Sequence, residues 1–245
     1  MKKFVIACGL AAMMPVCLAV SANAQRVAFE GFDYADTDLS KEVEKNYGQT
    51  VNLDNFAGGE GFAGGWVLSG AGKCEGGNPK ISGGKLTNWS QDLTFTRRFA
   101  NKPNLTNTGV VYASAELKEG LHYDNPEQKS DLNVKFFLGD KIYFGVKYSA
   151  EEKGYVPQLS VGADTYTGST VKRLKDQTYK LKLKMEINDG VADRLYYKVF
   201  NTAYAEPAGW DIVRDVELSA LSADYIRLKM GGYIPSAVDN ILVES

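Results

Sequence analysis

Residues 179–188 read YKLKLKMEIN. Tyr179, Leu181, Leu183, Met185 and Ile187 alternate there with Lys180, Lys182, Lys184 and Glu186. Successive side chains of an extended chain point to opposite faces, so strict period two predicts a strand with one buried face and one wet face. The turn-prone NDG of residues 188–190 follows, and LYYKVF (195–200) reads as the returning strand of a hairpin. In that strand Leu195, Tyr197 and Val199 share one face, and Tyr196, Lys198 and Phe200 share the other.

The same reading recurs along the chain. Residues 27–32, 93–99, 110–117, 132–138, 141–148, 157–163, 211–218, 225–230 and 238–244 all read as strands, with Gly, Asn, Asp and Pro between them. LGDK (138–141) reads as a tight hairpin turn, and only DLSKEVEKNY (38–47) suggests a short helix. About ten strands without intervening helices imply antiparallel sheets, which bury their apolar faces as a sandwich or jelly roll. With no linker and no clean repeat, one domain accounts for the chain.

The start of the chain reads differently. Lys2 and Lys3 precede an apolar run over residues 4–20, and Ala22-Asn23-Ala24 supplies an A-x-A cleavage pattern. This predicts a signal peptide over residues 1–24, with the domain over 25–245. Cys17 follows Met14-Pro15-Val16, a poor match to a lipobox. Cys8 and Cys17 leave with the leader, so Cys74 has no partner for an internal disulfide and the core must hold the fold. The full chain carries a net charge of −2 and no basic run, which disfavours a nucleic-acid partner. No later stretch approaches the ~18 apolar residues of a transmembrane segment.

FEGFDY (29–34), GGEGFAGGW (58–66), GGKLTN (83–88), LSALSADYIRLKMGG (218–232) and the closing VDNILVES follow one another in this order. The succession resembles secreted bacterial proteins with a concanavalin A-like lectin/glucanase jelly roll, the laminin-G-like group common in planctomycetes and verrucomicrobia. The resemblance implies two antiparallel sheets with the first and last strands as neighbours. It therefore implies that Asp33 and Asp239 come together. Some relatives bind calcium with such acids; the other reading is that both carboxylates bond backbone at strand ends and turns. Asp33, Asp36 and Asp38 also lie close in sequence, without the glycine and distal glutamate of an EF-hand loop. An exported protein follows, secreted or periplasmic or held at the cell surface.

Gly59, Gly61 and Gly64 satisfy G-x-G-x-x-G, but no helix start follows them to hold a pyrophosphate, so the match reflects glycine density. The stretch is expected to turn the chain sharply, with Phe62 and Trp66 as apolar anchors. Glucanases of this fold aim acids spaced E-x-D-x-x-E from one strand into the cleft, and this sequence contains no E-x-D. His122 is the only histidine, in a polar loop, so a serine triad or a zinc site lacks its partners.

Sugar binding needs less: aromatic rings for pyranose faces, and amide, carboxylate or ammonium groups for hydroxyls. Tyr143, Tyr196 and Phe200 are candidates, on the premise that their strands are neighbours, together with Lys198; Trp89, in TNWSQD, has polar neighbours that suit either a loop anchor or a sugar platform. Covering loops would instead turn this face into a second small core. Three functions stay open. One is a non-catalytic carbohydrate-binding or adhesion module with a glycan or polysaccharide partner. A second is a glycan-active hydrolase or lyase with carboxylates from separate strands. The third is a structural envelope protein.

Overall fold

The alternation of residues 179–188 becomes an inward row of apolar side chains, all buried, and an outward row of part-exposed Lys180, Lys182, Lys184 and Glu186. A computed structural model describes residues 25–40, 49–70, 79–88, 93–119, 134–149, 151, 154–170, 172, 177–188, 191–230 and 236–245. The leader, most of the 38–47 segment, Cys74, Trp89 and His122 lie outside the described residues.

Among the described residues the strands are β1 (Arg26–Glu30), β2 (Thr37–Asp38), β3 (Val51–Leu53), β4 (Phe62–Gly70), β5 (Lys80–Ile81), β6 (Leu86–Asn88), β7 (Leu93–Phe99) and β8 (Gly109–Glu119). There follow β9 (Lys135–Leu138), β10 (Ile142–Ser149), β11 (Gly154–Val161), β12 (Asp164–Thr167), β13 (Thr178–Ile187), β14 (Asp193–Asn201), β15 (Ile212–Val216), β16 (Tyr225–Met230) and β17 (Ser236–Glu244). One sheet, sheet A, runs β15-β14-β13-β8-β17-β6-β5-β2, with β1 beside β17. The other, sheet B, runs β12-β11-β10-β9-β16-β7-β4-β3. Strand pairs in both are antiparallel. The chain is thus all-β, an antiparallel two-sheet sandwich of the concanavalin A-like jelly-roll class. No helix among the described residues is long and apolar enough to cross a membrane.

The core lies between the sheets. Leu181, Leu183, Leu195, Tyr197 and Val199 of sheet A face Phe136, Phe144, Leu159 and Leu228 of sheet B, all buried. Tyr197 brings a hydroxyl into this layer and donates it to the Gly145 carbonyl of the opposite sheet at 2.7 Å, so the polar atom is satisfied. The first and last strands are neighbours, with Phe29 opposite Leu242 and Glu30 opposite Ile241. The sharp turn at LGDK joins β9 to β10, with Gly139 in the left-handed region at φ 61°.

Two charges also enter the core. Glu30 of β1 and Arg97 of β7 are each 1% exposed and form an ion pair between the sheets. Glu30 further accepts from the Phe32 amide at 2.8 Å, the Tyr34 hydroxyl at 2.9 Å and Trp66 Nε1 at 3.0 Å. Arg97 Nε donates to the Gly64 carbonyl at 2.9 Å, and its guanidinium lies 4.5 Å from the centre of the Phe62 ring. Burial, then the nearby Glu30 carboxylate, pushes the Tyr34 phenol well above its ordinary value.

The glycine-rich segment is built around this pair. A side chain at Gly59 would meet the Phe29 carbonyl at 2.6 Å, and one at Gly61 would meet the Val27 carbonyl at 1.8 Å. Both glycines also take left-handed φ values, 78° and 74°. Only the first part of the segment turns. From Phe62 the chain enters β4, a nine-residue strand bulged between Ala63 and Val67, which glycine content concealed in the sequence. Phe62 and Trp66 do anchor it, Phe62 stacked on Phe99 at 5.6 Å and Trp66 on Phe32 at 5.7 Å.

Breaking a buried ion pair leaves a charge without compensation, which costs about 3–5 kcal/mol. Arg97→Met is expected to lower the unfolding free energy by about that amount in urea titrations. The double variant Glu30→Leu/Arg97→Met is expected to recover only part, because the Phe32 and Trp66 N–H groups then lose their acceptor.

Candidate functional site

The outward face of sheet B is assembled from every second residue of its strands. Register sets them in transverse rows. Thr165, Ser160, Tyr143, Phe137, Arg227, Thr96, Val67 and Asn52 follow one another across eight strands. The adjacent row is Thr167, Gln158, Gly145, Lys135, Lys229, Thr94 and Ser69. Nearly every position offers a hydroxyl, an amide, a cation or an aromatic ring. Val67 is the one aliphatic side chain.

Aromatic rings occupy the centre of the first row. Phe137 and Tyr143 are 5.5 Å apart and tilted by 34°. Lys135 Nζ lies 5.2 Å from the centre of the Tyr143 ring, and the Arg227 guanidinium lies 5.7 Å from that of Phe137. Tyr143 is 8% exposed, its hydroxyl meets Gln158 Oε1, and burial holds its phenol above the ordinary range. Arg227 donates to the Tyr225 hydroxyl at 2.6 Å and to Asp140 at 3.1 Å, while Tyr225 donates to Asp140. Burial, then the bond to Asp140, pushes Tyr225 up to about 12. Beside Tyr143 the row is closely packed at Gly145, where a side chain would meet the Val134 carbonyl at 2.8 Å. Thr94, Thr96 and Thr167 are part-exposed or exposed, and their hydroxyls make no hydrogen bond among the described residues.

Sheet A presents a different outward face. Tyr196, Lys198 and Phe200 lie there, as the alternation of 195–200 predicts, beside Lys180, Lys182 and Lys184 of β13. Several charges of this face pair with one another. Lys184 pairs with Glu186, Arg194 with Asp215 at 2.6 Å, and Glu206 with both Lys182 at 2.9 Å and Lys198 at 2.7 Å. Tyr196 donates to Glu186 at 2.7 Å, and Lys184 Nζ lies 4.8 Å from the centre of its ring. Lys198 is 4% exposed, because the 202–211 connection folds over it: Pro207 supplies a carbonyl at 2.7 Å and the Trp210 ring lies 4.3 Å away. Trp210 also packs on Tyr196 at 5.5 Å.

The premise that the sequence candidates share one face therefore fails. Tyr196, Lys198 and Phe200 come together on sheet A, whereas Tyr143 lies outward on sheet B, across the thickness of the core. The hairpin signals fixed each strand's nearest partner but not the sheet it joins. Trp89 falls outside the described residues. Phe137, Gln158, Arg227 and the threonines were not singled out by sequence; their common row follows from pairings between distant strands.

The two calcium candidates lie near one another beside β17. Asp239 is opposite Glu116 in the register, Asn240 donates its side chain to Glu116 at 3.1 Å, and Asn240 takes a left-handed φ of 48° at a bulge. Burial raises the Asp239 carboxyl above its ordinary value; the Asn240 amide and Lys85 oppose this, and Glu116 and Asp33 add to it. The arrangement does not suit calcium, which needs six to eight oxygens. One Asp239 oxygen accepts the Asn240 amide at 2.7 Å and the other faces Lys85 Nζ at 3.7 Å. Among the described residues no group of three or more His, Cys, Asp or Glu is arranged to hold a metal ion.

No protein-family model matches the sequence, and no curated protein matches it. Among solved structures the chain is similar to the metal-free exoplasmic/lumenal domain of VIP36, with TM-score 0.49, 8% identity, and coverage of 80% of this chain and 91% of that one. It is also similar to an endo-1,3-β-glucanase from Streptomyces sioyaensis, with TM-score 0.48, 9% identity, and coverage of 91% and 96%. A third is the alginate lyase Aly36B, with TM-score 0.46, 9% identity, and coverage of 90% and 97%. These likenesses are distant, and the fold class rests on the sheet topology itself.

The raised Asp239 carboxyl has a consequence for stability. A carboxyl whose folded value lies above its unfolded value binds more protons when folded, so stability falls as pH rises through that range. Asp239→Asn is expected to raise the thermal midpoint at pH 7 and to lose that advantage at pH 3, where both states of Asp239 are protonated. Calorimetry at the two pH values measures this.

Proposed function

We propose that this chain is an exported, non-catalytic carbohydrate-binding or adhesion module of the laminin-G-like type that its sequence resembles. The outward face of sheet B is the binding surface. One observation carries the reading: the transverse rows through Tyr143, Phe137 and Arg227 and through Gln158, Lys135 and Thr94. A polysaccharide laid across the strands meets a new side chain at each strand spacing, about 4.7–4.9 Å. Phe137, part-exposed beside the largely covered Tyr143, supplies apolar surface for a sugar ring, and the flanking hydroxyl, amide and cationic groups supply partners for its hydroxyls. On sheet A the 202–211 connection lies over Lys198 and its Trp210 packs on Tyr196, which leaves that face less to offer.

Phe137→Ala is expected to weaken binding to a retained polysaccharide by about 1–3 kcal/mol, a scale borrowed from aromatic–base stacking. Tyr196→Ala on the opposite sheet is expected to leave affinity unchanged. Affinity electrophoresis across a panel of soluble polysaccharides reads both, and a protein that no polysaccharide retards rules the reading out.

A hydrolase is the second reading, favoured by the cross-strand pairing of Glu116 with Asp239 and by the raised Asp239 carboxyl. Hydrolysis by paired carboxylates assigns one as protonated acid and the other as base or nucleophile. Release of reducing ends from any polysaccharide of the panel, lost in Glu116→Gln, would favour it over the binding module.

A further inference from the structure

We propose that the cleft between the sheet edges at β2 and β3 is a further sugar subsite, which takes a neutral hexose unit of the polysaccharide lying on sheet B. The proposal rests on the binding reading given above and adds a subsite and the chemical class of its ligand.

Position is the first observation. β2 ends the strand order of sheet A, and β3 ends that of sheet B. A cleft of about 520 Å³ lies between these edges, lined by Thr37 and Asp38 of β2, by Asn52 and Leu53 of β3, and by the turns beside them. Its size falls within the ~300–1,000 Å³ usual for small-molecule sites. Asn52 is also the last residue of the first outward row of sheet B, opposite Val67. From Phe137 the row passes Arg227, Thr96 and Val67 before it reaches Asn52, four strand spacings or about 19 Å away. A polysaccharide that follows the row runs off sheet B into the cleft.

The chemistry of the lining is the second observation. Residues 53–56 turn the chain directly after β3, closed by the Phe56 amide on the Leu53 carbonyl at 2.9 Å. Asp54 and Asn55 stand exposed at the tip of this turn, and the part-exposed Phe56 ring comes back against Tyr34. The two rings meet edge to face, 5.1 Å apart and at 80°. The Asn52, Asp54 and Asn55 side chains make no hydrogen bond or ion pair among the described residues. Two amides and a carboxylate both donate to and accept from sugar hydroxyls, and the rings give the sugar an apolar face. Asp38 adds a second carboxylate, one oxygen of which holds the Ser40 amide at 2.8 Å. Among the described residues no Lys or Arg lines the cleft. Carboxylates without a cation beside them repel an anionic sugar, so the lining selects a neutral one.

The third observation is that the aromatic wall is fixed in advance. Tyr34 donates its hydroxyl to the buried Glu30 at 2.9 Å, and a side chain at Gly58 would meet the Tyr34 ring at 2.9 Å. A wall held in this way has little freedom left to lose when a ligand binds.

NMR titration of the purified protein with the methyl glycosides of glucose, mannose and galactose, and with glucuronate, tests the cleft itself. Electrophoresis through gels containing dextran, laminarin or galactomannan tests its link to the row. At least one methyl hexoside is expected to bind, and glucuronate to bind more weakly. Phe56→Ala and Asp54→Ala/Asn55→Ala are each expected to lose at least about fivefold in affinity for that hexoside and for the retaining polymer. Tyr196→Ala on sheet A is expected to keep both. Thermal unfolding checks that the variants fold, and Asp54→Ala/Asn55→Ala alters exposed side chains alone. Tighter binding of glucuronate than of any methyl hexoside overturns the neutral assignment. Polymer retention that Phe137→Ala weakens and both cleft variants leave whole overturns the subsite and leaves the binding reading standing. Hexoside binding lost in the cleft variants, with no polymer retained by the unaltered protein, overturns the reading for sheet B and leaves the cleft as a sugar site. Binding of no hexoside and no polymer overturns both.

Discussion

The buried pairing of Glu30 with Arg97 is the constraint around which one end of the sandwich is arranged. Two charges taken out of water must be satisfied almost completely, or the fold loses more than the pair returns. Glu30 belongs to the strand beside β17 in sheet A, and Arg97 belongs to β7 in sheet B. Their contact therefore joins the two layers. It also fixes the chain around it: the Phe32 and Trp66 N–H groups and the Tyr34 hydroxyl are held by Glu30, and the Gly64 carbonyl by Arg97. The close approach at Gly59 and Gly61 brings the segment before β4 against β1, where Phe29 and Glu60 exchange two backbone hydrogen bonds. Phe32, a residue with a side chain, takes a φ of 50° there, which the surrounding bonds over-determine.

Stapled in this way, the layers leave two outward faces of opposite character. Sheet A spends its charges internally, through Glu186, Glu206 and Asp215 on neighbouring lysines and arginines. Rings on both faces lie beside cations, and on sheet A Trp210 also covers Tyr196 and Lys198. Sheet B offers hydroxyls, an amide, cations and two central rings in rows that run across the strands. The same antiparallel chemistry builds both faces; what differs is which residues the register places side by side.

Much of the strand pattern was legible. The inward and outward sets of β13 and β14 follow from period two alone, and burial of Leu181, Leu183, Leu195 and Val199 is its direct consequence. The neighbouring of the first and last strands was legible through family likeness, since nothing local in FEGFDY or VDNILVES demands it. The strand β4 was hidden because Gly64, Gly65 and Gly70 lower strand propensity, while its stability comes from Trp66 and Leu68 in the core. The short β2, β3, β5, β6 and β12 carry too few residues for a period to register.

The sequence by itself determined the class of structure and the side of each strand that meets the core. Alternation is a local property, set by the geometry of an extended chain and by the preference of apolar side chains for the interior. Only the tertiary structure decided which outward residues share a surface. Backbone hydrogen bonds pair any two strands equally well, so the choice of neighbour falls to long-range packing and to contacts such as Glu30 with Arg97. That choice placed Tyr143 with Phe137, Arg227 and Lys135, and put Tyr196, Lys198 and Phe200 on the far side of the core.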